Sequence, residues 1–213
     1  MEPPDRLASS RSESSGPTSF LGTGELAGRI RDFDWSSTPV GPIEDWPQSL
    51  RTTVSIMLNT QYAMFLFWGE QATCLYNDAY RPSLGHDMHP RTLGRPGAEC
   101  WSDIWHIIGP QFSAVMSRGE HTWFEDQLVP YDRNGYFEEI YFTYSYSPVY
   151  DESGTVGGCL VVCSETTDRV LAERRLLTLQ ALSVVAEDET ATVVPALLST
   201  TGRNDADISF AVL

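Results

Sequence analysis

Glu139-Ile-Tyr-Phe-Thr-Tyr-Ser-Tyr-Ser-Pro-Val-Tyr-Asp-Glu-Ser-Gly-Thr-Val-Gly-Gly-Cys-Leu-Val-Val-Cys-Ser-Glu-Thr-Thr-Asp-Arg-Val-Leu-Ala-Glu-Arg-Arg175 is the stretch that decides the fold. Between Ile140 and Ser147 every even position is apolar or aromatic (Ile140, Phe142, Tyr144, Tyr146), and the odd positions are mostly smaller or hydroxylated. A period of two predicts a half-buried strand. Asp151-Glu-Ser-Gly154 supplies the turn, with Gly154 free to take positive φ. Val156 to Cys163 is apolar on both faces: Val156, Leu160 and Val162 on one, Cys159, Val161 and Cys163 on the other. A strand apolar on both sides belongs in the middle of a covered sheet. Beyond it, Ser164-Glu-Thr-Thr-Asp-Arg169 turns polar and opens a charged helix.

Upstream, Ala63–Trp68 and Ala72–Tyr76 read as two short strands around Gly69-Glu70. Trp101, Ile104, Trp105, Ile108, Phe112, Val115 and Met116 fall at helical spacing, and Gly109-Pro110 predicts a break or kink, with Pro110 in the first turn of the longer helix. A third strand is expected from Thr122 to Pro130, and Asn134-Gly135 marks the turn that leads to Ile140. Ahead of the sheet, Leu26, Ile30 and Phe33 at i, i+4, i+7 give one amphipathic helix. Leu50, Val54, Met57 and Leu58 give a second, starting near Pro47. These two helices are expected to cap the sheet. Strand-strand, helices, then three strands is an α+β arrangement: a five-stranded antiparallel sheet with helices on one face, plus the N-terminal cap and a C-terminal exit helix.

Glu165-Thr-Thr-Asp-Arg169 is similar to the Asp-Ile-Thr-Glu-Arg ending of PAS domains, with Glu in place of Asp and Thr in place of Ile. Tyr76-Asn-Asp-Ala-Tyr80 resembles the strand-to-helix step of that family, and Ser83-Leu-Gly85 and Leu93-Gly-Arg95 resemble its later Leu-Gly turns. Gly41-Pro-Ile-Glu-Asp-Trp-Pro-Gln-Ser-Leu50 resembles a block that precedes the PAS core in bacterial sensor histidine kinases, where a GAF domain follows. The resemblance implies a PAS fold, a sensory role in two-component signalling, a cytoplasmic setting and downstream GAF and kinase domains. The chain itself is expected to hold no catalytic domain. The implied organisation is a disordered tail over 1–19, a helical cap over 20–60, the PAS domain over 61–167, a linker helix over 168–187 and the incomplete start of a GAF-like domain over 188–213. On this reading the chain is expected to be a fragment of a longer protein or a truncated gene product.

The totals set bounds. Acidic residues outnumber basic ones 29 to 14 for a net charge of −15, and 41% of the chain is apolar. That fraction suffices for a core, and no Lys/Arg cluster suits a nucleic acid or an anionic membrane. No stretch approaches the roughly 18 apolar residues of a membrane span. Of the four cysteines, Cys159 and Cys163 stand about 13 Å apart along one strand face, too far for a disulfide. Cys74 and Cys100 have no partner at metal-ligand spacing, and all four thiols are expected to be reduced.

Catalytic signatures are missing. Gly22-Thr-Gly24 lacks the Lys and the preceding strand of a phosphate loop. His86 and His89 have no further His or Cys near enough for zinc. Glu138 and Glu139, adjacent on a strand, face opposite ways. No cofactor is required. Haem, through His106, and flavin, through Cys100 in Gly97-Ala-Glu-Cys-Trp-Ser, are both disfavoured, the latter because the Asn and Arg that flank the thiol of photosensing relatives are replaced here. What remains is an aromatic-rich interior, read first as core packing and second as a small-molecule pocket formed by Phe65, Tyr76, Tyr80, Trp105, Ile108, Phe112, Phe142 and Tyr144. Glu165, Thr167, Asp168 and Arg169 are the candidate output residues; Glu165 and Thr167 are expected to bond backbone donors at the start of the exit helix. Leu176 and Leu179 suit either a short homodimeric coiled coil or a helix lying on its own domain. A structural dimerisation module without a ligand is the alternative reading.

Overall fold

In the computed structural model, residues 22–187 are described; the tail expected over 1–19 and the GAF-like start expected over 188–213 lie outside them. Two helices open the described chain, α1 (Glu25–Asp32) and α2 (Gln48–Leu58). Strands β1 (Ala63–Trp68) and β2 (Thr73–Tyr76) follow, then helices α3 (Arg81–Met88), α4 (Gly97–Cys100) and α5 (Trp105–Arg118). The chain continues through β3 (Thr122–Leu128), β4 (Tyr131–Asp132), β5 (Phe137–Glu138), β6 (Tyr141–Tyr150) and β7 (Val156–Glu165) into α6 (Thr167–Glu187).

The expected five-stranded sheet forms with order β2-β1-β7-β6-β3, every pairing antiparallel and β7 central. Alternation fixes the register. Tyr144 pairs with Cys163 and Tyr146 with Val161, while Phe65 of β1 pairs with Val161 from the other side. These side chains share one face, against which α5 packs. Leu66 and Leu75, cross-strand partners pointing the opposite way, are also fully buried. That burial requires a second cover, and α2, which contacts β2 and β6, provides it. Its first turn is tied down where the Ser49 N–H donates to Glu152 in the β6–β7 turn (2.7 Å). Asn77 holds its last turn: the amide nitrogen donates to the Met57 carbonyl (3.0 Å) and the amide oxygen accepts from Met64 N–H (3.0 Å) and Tyr80 N–H (3.1 Å). A buried amide that ties a strand, a helix end and the turn after β2 together is the physical content of the Tyr76–Tyr80 motif.

Four details depart from expectation. The two faces of β7 are not equally covered, since Cys159, Val161 and Cys163 are buried while Val156, Leu160 and Val162 are half-buried. The Gly109-Pro110 break does not occur. α5 is one continuous helix through Pro110, which stands in its second turn and forgoes the bond that an N–H there would make to the His106 carbonyl. Gly109 is instead the seat of the Trp105 indole, which lies 2.8 Å from where a Cβ would stand. Between β3 and β6 the chain makes a second small hairpin, β4–β5, that periodicity over two-residue strands does not reveal. In β7 itself, Gly158 leaves room for Trp68 of β1, whose ring would lie 2.5 Å from an added Cβ.

Candidate functional site

The buried face of the sheet and the helices over it enclose a cavity of about 50 Å³. β1 contributes Phe65 and Phe67, β6 Phe142, Tyr144 and Tyr146, and β7 Val161 and Cys163. Tyr80, Trp101, Ile104 and Ile108 close it from the helical side, and Tyr131 of β4 and Val129, just ahead of that strand, complete it. Phe65 is the hub, with ring centroids 4.8 Å from Phe67, 5.0 Å from Tyr80 and 5.9 Å from Trp101.

Polar groups in this wall are few. The Tyr144 hydroxyl donates to Gln111 Oε1 (3.0 Å) and the Tyr131 hydroxyl to the Ser83 carbonyl. Trp101 Nε1 is buried with no hydrogen-bond partner among the described residues. Burial pushes Tyr80, Tyr131, Tyr144 and Tyr146 above the usual tyrosine range and the Cys163 thiol up to about 12. The wall is therefore uncharged near neutral pH. Drug-sized pockets span about 300–1,000 Å³, and an apolar cavity of about 150 Å³ accommodates benzene. At its present volume this one takes only a few atoms.

Of the residues read from sequence as a pocket, Phe65, Tyr80, Ile108, Phe142 and Tyr144 line the cavity, and Tyr76, Trp105 and Phe112 do not. Tyr76 stacks on the far side of Phe65 (5.9 Å, rings 9° apart), and its hydroxyl meets His89 Nδ1 at 2.9 Å. Trp105 and Phe112 pack on Phe67, one layer away. Tyr146, Val161 and Cys163 were reachable by extending the strand alternation, and Trp101 and Ile104 by stepping one helical turn back from Trp105 and Ile108. Tyr131 arrives through the β4–β5 hairpin and Val129 through the segment just ahead of it, and neither carries a local signal that it borders the cavity. His106 is exposed and does not reach the cavity; His86 is fully exposed, and His89 is held between Tyr76 and Glu25 (3.3 Å). Among the described residues, no cluster of three or more His, Cys, Asp and Glu is placed to hold a metal, and no helix is long and apolar enough to cross a membrane.

The second notable region is the passage from β7 to α6. Neither Glu165 nor Thr167 caps the helix. Glu165 accepts from both Arg133 NH groups (2.7 and 3.2 Å), and Arg133 also reaches Glu138 (2.9 Å), whose carboxyl it holds below the usual range. Thr167 is the first residue of α6, and its hydroxyl oxygen accepts from the Tyr141 N–H of β6 (3.0 Å). One residue earlier, Thr166 N–H donates to the Tyr141 carbonyl (2.8 Å), so the ladder between β6 and β7 runs into the helix. Asp168 is exposed in the first turn, where an acidic group suits the helix dipole. Arg169 binds Asp126 of β3, and Arg174 binds Glu139.

Residues 58–171, from the end of α2 to the second turn of α6, match the family model described as the PAS fold. The chain belongs to the PAS-fold family. Among solved structures, this PAS domain is similar to the PAS domain of Bordetella pertussis BvgS, at 18% identity and TM-score 0.45 over 62% of this chain and 96% of that one. It is similar to the Rhodobacter sphaeroides LOV protein at 12% identity and TM-score 0.46, over 75% and 93% of the two chains. It is also similar to an RNA-binding Light-Oxygen-Voltage receptor at 15% identity and TM-score 0.45, over 65% of this chain but only 38% of that one. No curated protein matches the chain.

Proposed function

We propose that this PAS domain is the sensory segment of a two-component signalling protein. It binds a small uncharged molecule, or a partner, on the cavity side of the sheet and passes the change through α6. One observation carries the reading: β7 lines the cavity with Val161 and Cys163 and leads within a few residues into α6. A shift in the strand is thereby a shift in the base of the helix. In this proposal the segment is regulatory and cytoplasmic, works as a homodimer, needs no haem or flavin, and has Glu165, Thr167, Asp168 and Arg169 at its output. GAF and histidine kinase domains stand downstream in the parent.

Xenon, which enters dry apolar cavities, is the probe for the coupling. Amide resonances recorded under xenon pressure should move at Val161 and Cys163 and also over Thr167–Arg174. Shifts confined to the cavity wall would show that occupancy is not transmitted and would defeat the sensory reading.

The alternative, a dimerisation module without a ligand, has its own observation. Leu176, Leu177 and Leu179 of α6, past the Arg174–Glu139 ion pair, are 55%, 66% and 64% exposed. A stable dimer by sedimentation, together with no response of α6 to xenon, would favour it.

A further inference from the structure

Cys74 and Cys100 are unremarkable in the sequence, but the fold brings them together. Cys74 lies on β2 with no exposure and points to the same face as Phe65 and Phe67. The segment before α4 runs along the free edge of β2: Cys74 N–H donates to the Arg95 carbonyl and Gly94 N–H to the Cys74 carbonyl, both at 2.9 Å. Gly97 N–H then bonds the Ala72 carbonyl (2.9 Å), and one turn later Cys100 returns over β2, half-buried. The two thiols lie close enough for each to act on the other's ionisation. Cys74 Sγ is also 3.5 Å from the Ala72 carbonyl and Cys100 Sγ 3.9 Å from that of Thr92. Cys159 is no competitor. It pairs with Phe67, as does Cys74 from the opposite side, so the two are two strand spacings apart, about 10 Å, beyond disulfide reach.

We propose that Cys74 and Cys100 form an oxidation-sensitive thiol pair that a peroxide closes to an intramolecular disulfide. The Cys100 thiolate attacks one oxygen of hydrogen peroxide. The O–O bond breaks, an S–O bond forms, and hydroxide leaves to be protonated to water, giving a sulfenic acid. Cys74 sulfur then attacks Cys100 sulfur; the S–S bond forms, the S–O bond breaks, and the Cys74 proton departs with the hydroxyl as a second water. Two thiols and one peroxide thus become one disulfide and two waters.

The environment assigns the roles. The neighbouring Cys74 thiol and the Arg95 guanidinium hold Cys100 below the usual thiol range, and half-burial leaves it open to a small oxidant. Burial pushes Cys74 up and hides it, which suits a resolving thiol and not an attacking one. Trp101 follows Cys100 directly, so a disulfide would fasten to β2 the turn that carries a cavity wall.

The test is peptide mass spectrometry of the reduced full chain after hydrogen peroxide treatment, with remaining thiols alkylated under denaturing conditions. The expected result is a single Cys74–Cys100 linked peptide within one chain, with Cys159 and Cys163 still alkylated. Cys74→Ser should leave Cys100 as a sulfenic acid trapped by dimedone, and Cys100→Ser should leave Cys74 unoxidised, each variant being checked by thermal melting. Because the wild-type linkage map needs no variant, a misfolded substitution leaves the test intact. Sulfenic acid at Cys100 in the wild type without a disulfide, a linkage between two chains, or equal oxidation of Cys159 and Cys163 would overturn the proposal.

Discussion

Arg174, two turns into α6, holds Glu139 ahead of β6 by both ends of its guanidinium, at 2.6 and 3.1 Å. With Arg169 on Asp126 and Thr167 on Tyr141, it makes three attachments of one helix to the β3–β6 side of the sheet. Helix and sheet are joined by polar groups at their edges, an arrangement that can loosen without unfolding the core.

Arg174→Ala should therefore separate stability from helix anchoring. Both side chains are partly exposed, 24% and 35%, so the global loss should be about 0.5–1 kcal/mol. Amide exchange beyond Val170 should nevertheless accelerate clearly, because the tether is local. Exchange mass spectrometry with unchanged protection in α6 would show that the pair contributes nothing to docking.

Thr167→Ala removes the acceptor of a backbone N–H at the start of β6. A loss of about 1 kcal/mol is expected in urea unfolding, with Thr167→Ser close to wild type because it keeps the hydroxyl. If serine is as damaging as alanine, the methyl group and not the Tyr141 bond is what the site needs.

Val161 and Leu160 are neighbours on β7 with different surroundings, one buried and one half-buried. Val161→Ala should cost about 2–3 kcal/mol, as a buried truncation beside a cavity. Leu160→Ala should cost about half that, although it deletes more atoms. Chemical denaturation of the two variants checks the order, and a larger loss for Leu160 would mean that the α2 face is the tighter one.

Asp151 organises the β6–β7 turn, accepting from Ser153 N–H (2.9 Å), Ser153 Oγ (2.6 Å), Thr155 N–H (3.1 Å) and Thr155 Oγ1 (2.8 Å). The two side-chain hydroxyls lead in drawing its pKa down from 3.8 to about 2. A depressed folded pKa means the stabilisation is present above the unfolded value and is lost as pH falls through the folded one. Melting temperature should consequently drop between about pH 4 and pH 2 in the wild type, and by less in Asp151→Asn, which keeps the geometry but does not titrate there. Parallel pH profiles would count against this assignment.

The sequence by itself determined the sheet. Alternation from Ile140 to Tyr146, the two-faced apolar run to Cys163 and the Asp151–Gly154 turn are local signals, and together they put β7 at the centre and α6 at its exit. The Asn77 motif and the α2 stripe are local for the same reason, since period and turn chemistry are written in neighbouring residues. Only the tertiary structure decided which aromatic side chains border empty space, placing Tyr131 there and turning Tyr76 away to His89. It also gave Thr167 a strand as partner instead of a helix end, gathered Glu138 and Glu165 on Arg133, and set Cys100 against Cys74. Each of these depends on a distance between segments far apart in the chain, fixed by how the β4–β5 hairpin and α4 fold back onto the sheet, and periodicity along one segment carries no record of such distances.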